Sequence, residues 1–325
     1  MRPLIQHATG IADDFFRHAP VPIIWMVLPN PESAVVPWIM APLLLALLFA
    51  AGAPSYQASV EQWRAHREQE LRKPDGWLSL AGLSWLKEGP NTAGTAPNSD
   101  VALPAGDAPA HAGVFTLHNR RVTFHAAPGA HVLINGKPAA TAVLKSDFSE
   151  QTPDVVQAGQ VQMLVIERGD RIGIRLKDPN AEARRNFHGL RWYPVRPEYR
   201  VEAEYHRYNP PKTLRIPTVL GTSVDAPSPG YAEFRLQGQT FRLDATIDEG
   251  ALFFVFHDRT AGKTTYGAGR FLKAPIPTGN TVVLDFNEAY NPPCAFTPYA
   301  TCPLPTPSSR LPISIEAGEL NYGGH

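Results

Sequence analysis

The sequence has little cysteine, two residues in 325, and no excess charge of either sign, with 30 Lys+Arg against 30 Asp+Glu. Balanced charge excludes the global basic field that gathers nucleic acid or acidic membrane surfaces. Two cysteines with no histidine in their loop supply half of a tetrahedral zinc site, so no metal is expected. No motif recurs at about 20 to 50 residues, which sets aside solenoids and propellers. Gly-x-Ser-x-Gly and His-Glu-x-x-His are absent, no histidines stand one helical turn apart on a helix, and GAGRF lacks the strand-turn-helix context of a nucleotide loop. No cofactor is therefore expected.

Proline, by contrast, is abundant: 33 residues, roughly twice ordinary usage. It lacks an N–H and clashes with the preceding helical turn, so this composition excludes a helical bundle and favours short strands joined by many turns. The 43% of hydrophobic residues suffices for a core and sets aside disorder throughout.

Residues 35–53 contain the apolar core APLLLALLFAAGA and end in small residues, as a signal peptide does. The uninterrupted run is shorter than the roughly 20 residues of a membrane span. Residues 1–53 therefore read as a signal peptide cleaved after Ala53, or as sequence ahead of a true start at Met26 or Met40. The expected location is exported and periplasmic, with membrane attachment only through an uncleaved N-terminal segment or a lipid anchor. Residues 54–325 read as the β-rich domain, with two subdomains meeting near residue 180 as an alternative.

Val60, Trp63, Arg67 and Leu71 recur at spacings of three and four, which predicts one amphipathic helix over residues 56–72, stopped by Lys73-Pro74. From Val101 the period becomes two. Hairpins are expected about Asn119-Arg120, Asn135-Gly136, Gly169-Asp170 and Gly238, with ALFFVFHD as a buried strand. Residues 209–212 and 226–230, rich in proline, read as rigid loops. The fold class is mainly β, antiparallel, a sandwich or barrel. GPNTAGTAPNSDVALP is similar to the opening strands of a forkhead-associated sandwich, but no Arg stands where such domains hold phosphothreonine, so that activity is not implied.

Chemistry concentrates in two segments. Residues 253–272, FFVFHDRTAGKTTYGAGRFL, gather Asp258, Thr260, Tyr266 and Arg270 at a strand end, where Arg270 suits an anion through its planar fork. The alternative is a scaffold in which Arg270 pairs with Asp285 or Glu319. His257 and Asp258 are strand neighbours on opposite faces and cannot form a catalytic pair with each other. Residues 285–311, DFNEAYNPPCAFTPYATCPLPTPSSRL, carry Asp285, Asn287, Tyr290 and Asn291 into a proline-stiffened loop holding Cys294 and Cys302. In an oxidising compartment these cysteines are expected to pair as a disulfide staple. A redox role is disfavoured because the spacing is not Cys-x-x-Cys and the sequence shows nothing that would lower a thiol pKa. The leading expectation is a noncatalytic binder of a small polar or anionic ligand between these segments. The alternatives are a hydrolase with Asp258 or Asp285 as general base and Tyr266 as partner, and a noncatalytic envelope scaffold.

GWLSLAGLSWLKEG, IERGDRIGIRLKDP, FHDRTAGKTTYGAGRFL and LDFNEAYNPPCAFTPYATCPLP together resemble a bacterial family known as domain of unknown function 1684, from about Trp63 to Glu319. The resemblance implies a β-rich, often exported or lipid-anchored protein. It carries over Trp77, Arg175, Asp178, Tyr266, Gly267, Arg270, Phe271, Asp285, Asn287, Tyr290, Asn291, Cys294 and Cys302. The family pattern has Asn before the Arg-Leu pair that follows the cysteine loop; here Ser309 precedes Arg310-Leu311.

Overall fold

A computed structural model describes residues 54–106, 108–149 and 151–323, so the expected signal segment lies outside the described residues. The helix α1 spans Tyr56–Arg72, as its periodicity predicts, and buries Val60, Arg67, Glu70 and Leu71. Ser55 caps it by accepting the Ala58 N–H, which satisfies one of the orphan donors of the first turn. Among the described residues no helix is long and apolar enough to cross a membrane.

The first group of strands is β1 (Leu80–Trp85), β2 (Gly89–Gly94), β3 (Val101–Ala102), β4 (Gly113–His118), β5 (Arg121–Ala126) and β6 (Val132–Ile134). It continues with β7 (Lys137–Pro138), β8 (Thr141–Leu144), β9 (Val155–Ala158), β10 (Val161–Arg168) and β11 (Arg171–Lys177). They make two sheets, β1-β11-β10-β9-β6-β7 and β3-β2-β4-β5-β8, antiparallel except where β3 runs parallel to β2. Alternate apolar residues of both sheets share one core around Phe115, Phe124, Met163, Val156, Ile174 and Leu176. Asn135 and Gly136 both take positive φ, 53° and 75°, as a two-residue hairpin turn requires.

A one-turn helix α2 (Glu182–Arg185) leads to the second group: β12 (Arg200–Pro217), β13 (Ser223–Leu236), β14 (Gln239–Asp248), β15 (Ala251–Phe256), β16 (Arg270–Ala274) and β17 (Thr281–Asp285). Their order is β16-β15-β14-β13-β12-β17, and the two edge strands approach without pairing, so the sheet curls into a half-barrel. Tyr205, Phe234, Leu243, Phe254, Phe256 and Phe286 fill its interior.

The proline-rich segments expected to be loops lie instead within β12 and β13. The β12–β13 ladder is interrupted between Arg207 and Lys212, where Pro210 and Pro211 sit. β14 pairs only with residues 230–236 of β13, so Pro227 and Pro229 occupy a stretch with one free edge. A proline is tolerated there because no ladder donor is missed.

Candidate functional site

Strand β15 is buried on both faces. Leu252, Phe254 and Phe256 point into the half-barrel, while Phe253 and Val255 turn outward with Phe271 of β16. On this outer face lies a pocket with a cavity volume of about 80 Å³. Its floor comes from the sheet: Ile216, Val224, Ala226, Ile247, Phe253, Val255 and Phe271. Leu71 and Arg67 of α1, Trp77, and Tyr290, Asn291, Pro293, Phe296 and Pro303 of the cysteine loop close it. The lining is mostly apolar, as small-molecule pockets commonly are.

Arg67 and Asn291 are among its polar lining residues. Arg67 donates from Nε to Glu319 Oε2 (2.7 Å) and from Nη2 to the Asn291 carbonyl (2.8 Å), and its guanidinium lies 4.4 Å from the centre of the Tyr290 ring. Glu319 is wholly buried, and burial raises its pKa although Arg67 opposes this. Asn291 donates from Nδ2 to the Leu320 carbonyl (2.8 Å). Its Oδ1 is buried and has no hydrogen-bond partner. Burial also raises the Tyr290 phenol pKa.

Of the residues expected to form a site, Tyr290 and Asn291 line this pocket and the others do not. Arg270 is a correction: at 1% exposure it donates to Asp258 Oδ1 (3.1 Å), to the Ile315 carbonyl (3.0 Å) and to the Ala317 carbonyl. Asp258, equally buried, also accepts from the Ile315 N–H (2.7 Å) and the Thr260 hydroxyl (2.8 Å). The guanidinium therefore ties the C-terminal segment to the half-barrel and is closed to a solvent-borne anion. Its partner is Asp258, neither of the carboxylates anticipated for a scaffold. Gly269 makes this approach feasible: its φ is +105°, and a Cβ there would stand 2.5 Å from the Phe256 carbonyl oxygen.

Tyr266 donates to the Cys294 carbonyl (3.1 Å) and packs with Leu71 and Phe296. Asp285 and Asn287 hold the start of α1. Tyr56 donates to Asp285 (2.9 Å), Asn287 Nδ2 donates to the Tyr56 hydroxyl (2.8 Å), and Asn287 exchanges hydrogen bonds with the Arg196 backbone. Asp258, Asp285 and Tyr266 thus belong to separate hydrogen-bond clusters, which removes the shared carboxylate-tyrosine arrangement of the hydrolase alternative. Among the described residues no three His, Cys, Asp or Glu side chains group as metal ligands.

Beside Asp285, burial and the neighbouring carboxylate push Glu288 up to about 7, against the opposing pull of Arg200 and Arg64. Its folded pKa exceeds the unfolded one. Stability is therefore greatest below about pH 4.5 and declines as pH rises towards 7, by up to about 3 kcal/mol. Glu288→Gln is expected to stabilise the protein at pH 8 and to change nothing at pH 4, read by urea unfolding at both values.

The expected disulfide is not shown: Cys294 and Cys302 lie side by side, and each sulfur accepts the backbone N–H of the other residue, at 3.3 and 3.4 Å. The eight-residue step between them brings the thiols together without joining them.

Sequence reasoning missed Arg67 and Trp77 as pocket residues. The signal was available for Arg67: a cation at an apolar position of an amphipathic helix needs a buried partner or a ligand.

A solution NMR structure of an uncharacterised protein from Haloarcula marismortui is 30% identical, with 44% of this chain and 81% of that chain covered and a TM-score of 0.37. No curated protein matches. The family described as "Protein of unknown function (DUF1684)" matches residues 185–320, a narrower span than the resemblance from Trp63 to Glu319 suggests, yet one that holds the whole half-barrel and the cysteine loop. The chain belongs to the DUF1684 family.

Proposed function

We propose that the protein binds a small amphipathic molecule in the outer pocket of the half-barrel. The observation that carries this is a mostly apolar cleft lined by Asn291, whose buried Oδ1 has no hydrogen-bond partner. An unsatisfied buried acceptor is costly, and a ligand hydroxyl or amide N–H would satisfy it. The apolar body would lie against Val224, Val255, Phe253 and Phe271. The expected polar or anionic character narrows to one end of the molecule, and Arg67, which lines the pocket, takes the role first given to Arg270. The apolar run in residues 35–53 supports an exported location for this binding.

The test uses 1-anilinonaphthalene-8-sulfonate, an apolar dye with one anionic group, as a fluorescent probe. Val224→Trp fills the pocket from a half-buried position on its floor and should weaken the probe at least about tenfold, roughly 1.4 kcal/mol, with the fold intact by circular dichroism. Equal affinity in the folded variant would place the dye elsewhere and overturn the assignment.

A further inference from the structure

The cysteine loop is joined to the first group of strands through one hydroxyl. Thr301 Oγ1 accepts from Arg168 Nε (2.8 Å) and from Arg175 Nη2 (3.1 Å), two arginines that are each 7% exposed. They are not equally compensated. Arg168 reaches Asp147 at 2.8 Å, whereas Arg175 makes no ion pair among the described residues and its Nε has no hydrogen-bond partner. Burial and the charge of Arg168 push Arg175 down to about 10, while the two cysteine sulfurs act on it in the opposite direction. A buried guanidinium that makes no ion pair among the described residues is thus bonded to Thr301, the residue before Cys302.

The thiols differ in the same sense. Cys294 is half-buried and Cys302 is 4% exposed. The Cys294 pKa is lowered by hydrogen bonding from the Cys302 thiol and N–H, with the charge of Arg175 adding to it. Burial and the neighbouring Cys294 raise that of Cys302. A more exposed thiol beside a buried one is the arrangement of an attacking and a resolving cysteine.

We infer that Cys294 and Cys302 form a reactive dithiol whose substrate is a low-molecular-weight disulfide, with Arg175, bonded to the adjoining Thr301, as the positioning residue. The Cys294 sulfur attacks one sulfur of the substrate RS–SR, the S–S bond breaks, and RS⁻ leaves and takes a proton. Cys302 then gives up its proton and attacks Cys294 in the mixed disulfide, which releases the second RS⁻. The protein loses two electrons and two protons and gains one Cys294–Cys302 bond; the substrate is reduced to two RSH. This inference does not rest on ligand binding in the apolar pocket.

The experiment uses the full chain, reduced and desalted, with glutathione disulfide as substrate. The expected result is release of two thiols per protein, formation of the Cys294–Cys302 disulfide, and in Cys302→Ser a glutathione adduct on Cys294 seen by peptide mass spectrometry. Arg175→Gln should raise the pH of half-maximal iodoacetamide labelling at Cys294, slowing labelling at pH 7 up to about tenfold, with Arg175→Lys restoring it. The inference is overturned if Cys302→Ser gains no adduct at Cys294, or if the wild-type pair is isolated as a disulfide that glutathione does not exchange. It is equally overturned if folded Arg175→Gln labels with the wild-type pH profile. Should Arg175→Gln not fold, the adduct in Cys302→Ser decides.

Discussion

Arg270→Met is expected to destabilise the protein by about 3–5 kcal/mol, the usual cost of removing one partner from a buried ion pair. Asp258 would then be left in a site with 1% exposure, holding the N–H groups of Ile315 and Thr260 and the Thr260 hydroxyl but no counter-charge. Two further acceptors, the carbonyls of Ile315 and Ala317, would lose their donor at the same time. The loss should therefore appear first in the C-terminal segment, as faster amide exchange over residues 311–317, and then in a lower urea midpoint. The double variant Arg270→Met with Asp258→Leu removes the stranded charge and should recover part of the stability. A single variant as stable as the wild type would mean that this pair does not tie the segment down.

The second large effect is expected at Arg67. Its guanidinium is the direct counter-charge of Glu319, at 2.7 Å and with 0% exposure of the carboxylate. Arg67→Met should cost about 3–5 kcal/mol at neutral pH and loosen α1 from the half-barrel. The pH dependence has a definite sign. Burial already raises the Glu319 pKa. Without the arginine it rises further, so the variant's stability is greatest where Glu319 is protonated in both states and falls as pH increases through the unfolded value towards the folded one. Urea unfolding across pH 4 to 8 should thus show the difference from wild type widening with pH, and Glu319→Gln in the Arg67→Met background should flatten it. A deficit that stays constant with pH would mean that lost packing, rather than a stranded carboxylate, explains the variant.

What was legible in the sequence is the part governed by local periodicity. The helix Tyr56–Arg72 and the hairpins at Asn119-Arg120 and Gly169-Asp170 follow from spacing and turn chemistry, and β15 from its apolar run. Prolines 227 and 229 misled for a local reason as well: residue type marks a missing N–H, but whether that N–H is needed depends on which edge of the strand has a neighbour. The candidate site failed on longer separations. Asp258 meets Arg270 twelve residues away, and its backbone donor at Ile315 is 57 residues away. No motif density could show that these polar groups satisfy one another and leave none for a ligand. The pocket, conversely, is assembled from apolar side chains that read individually as core. Arg175 lies far from both cysteines in sequence, so its approach to their loop through Thr301 was also out of reach.

The two-sided burial of β15 has an evolutionary consequence. Along six residues, Leu252, Phe254 and Phe256 answer to the interior of the half-barrel, while Phe253 and Val255 answer to the pocket. Because these constraints alternate, a substitution at Val255 can reshape what the pocket accepts without altering the side chains that hold the sheet's inner layer. The outer face of this strand can therefore change shape while its inward-facing residues stay under a single, unchanged requirement to fill space.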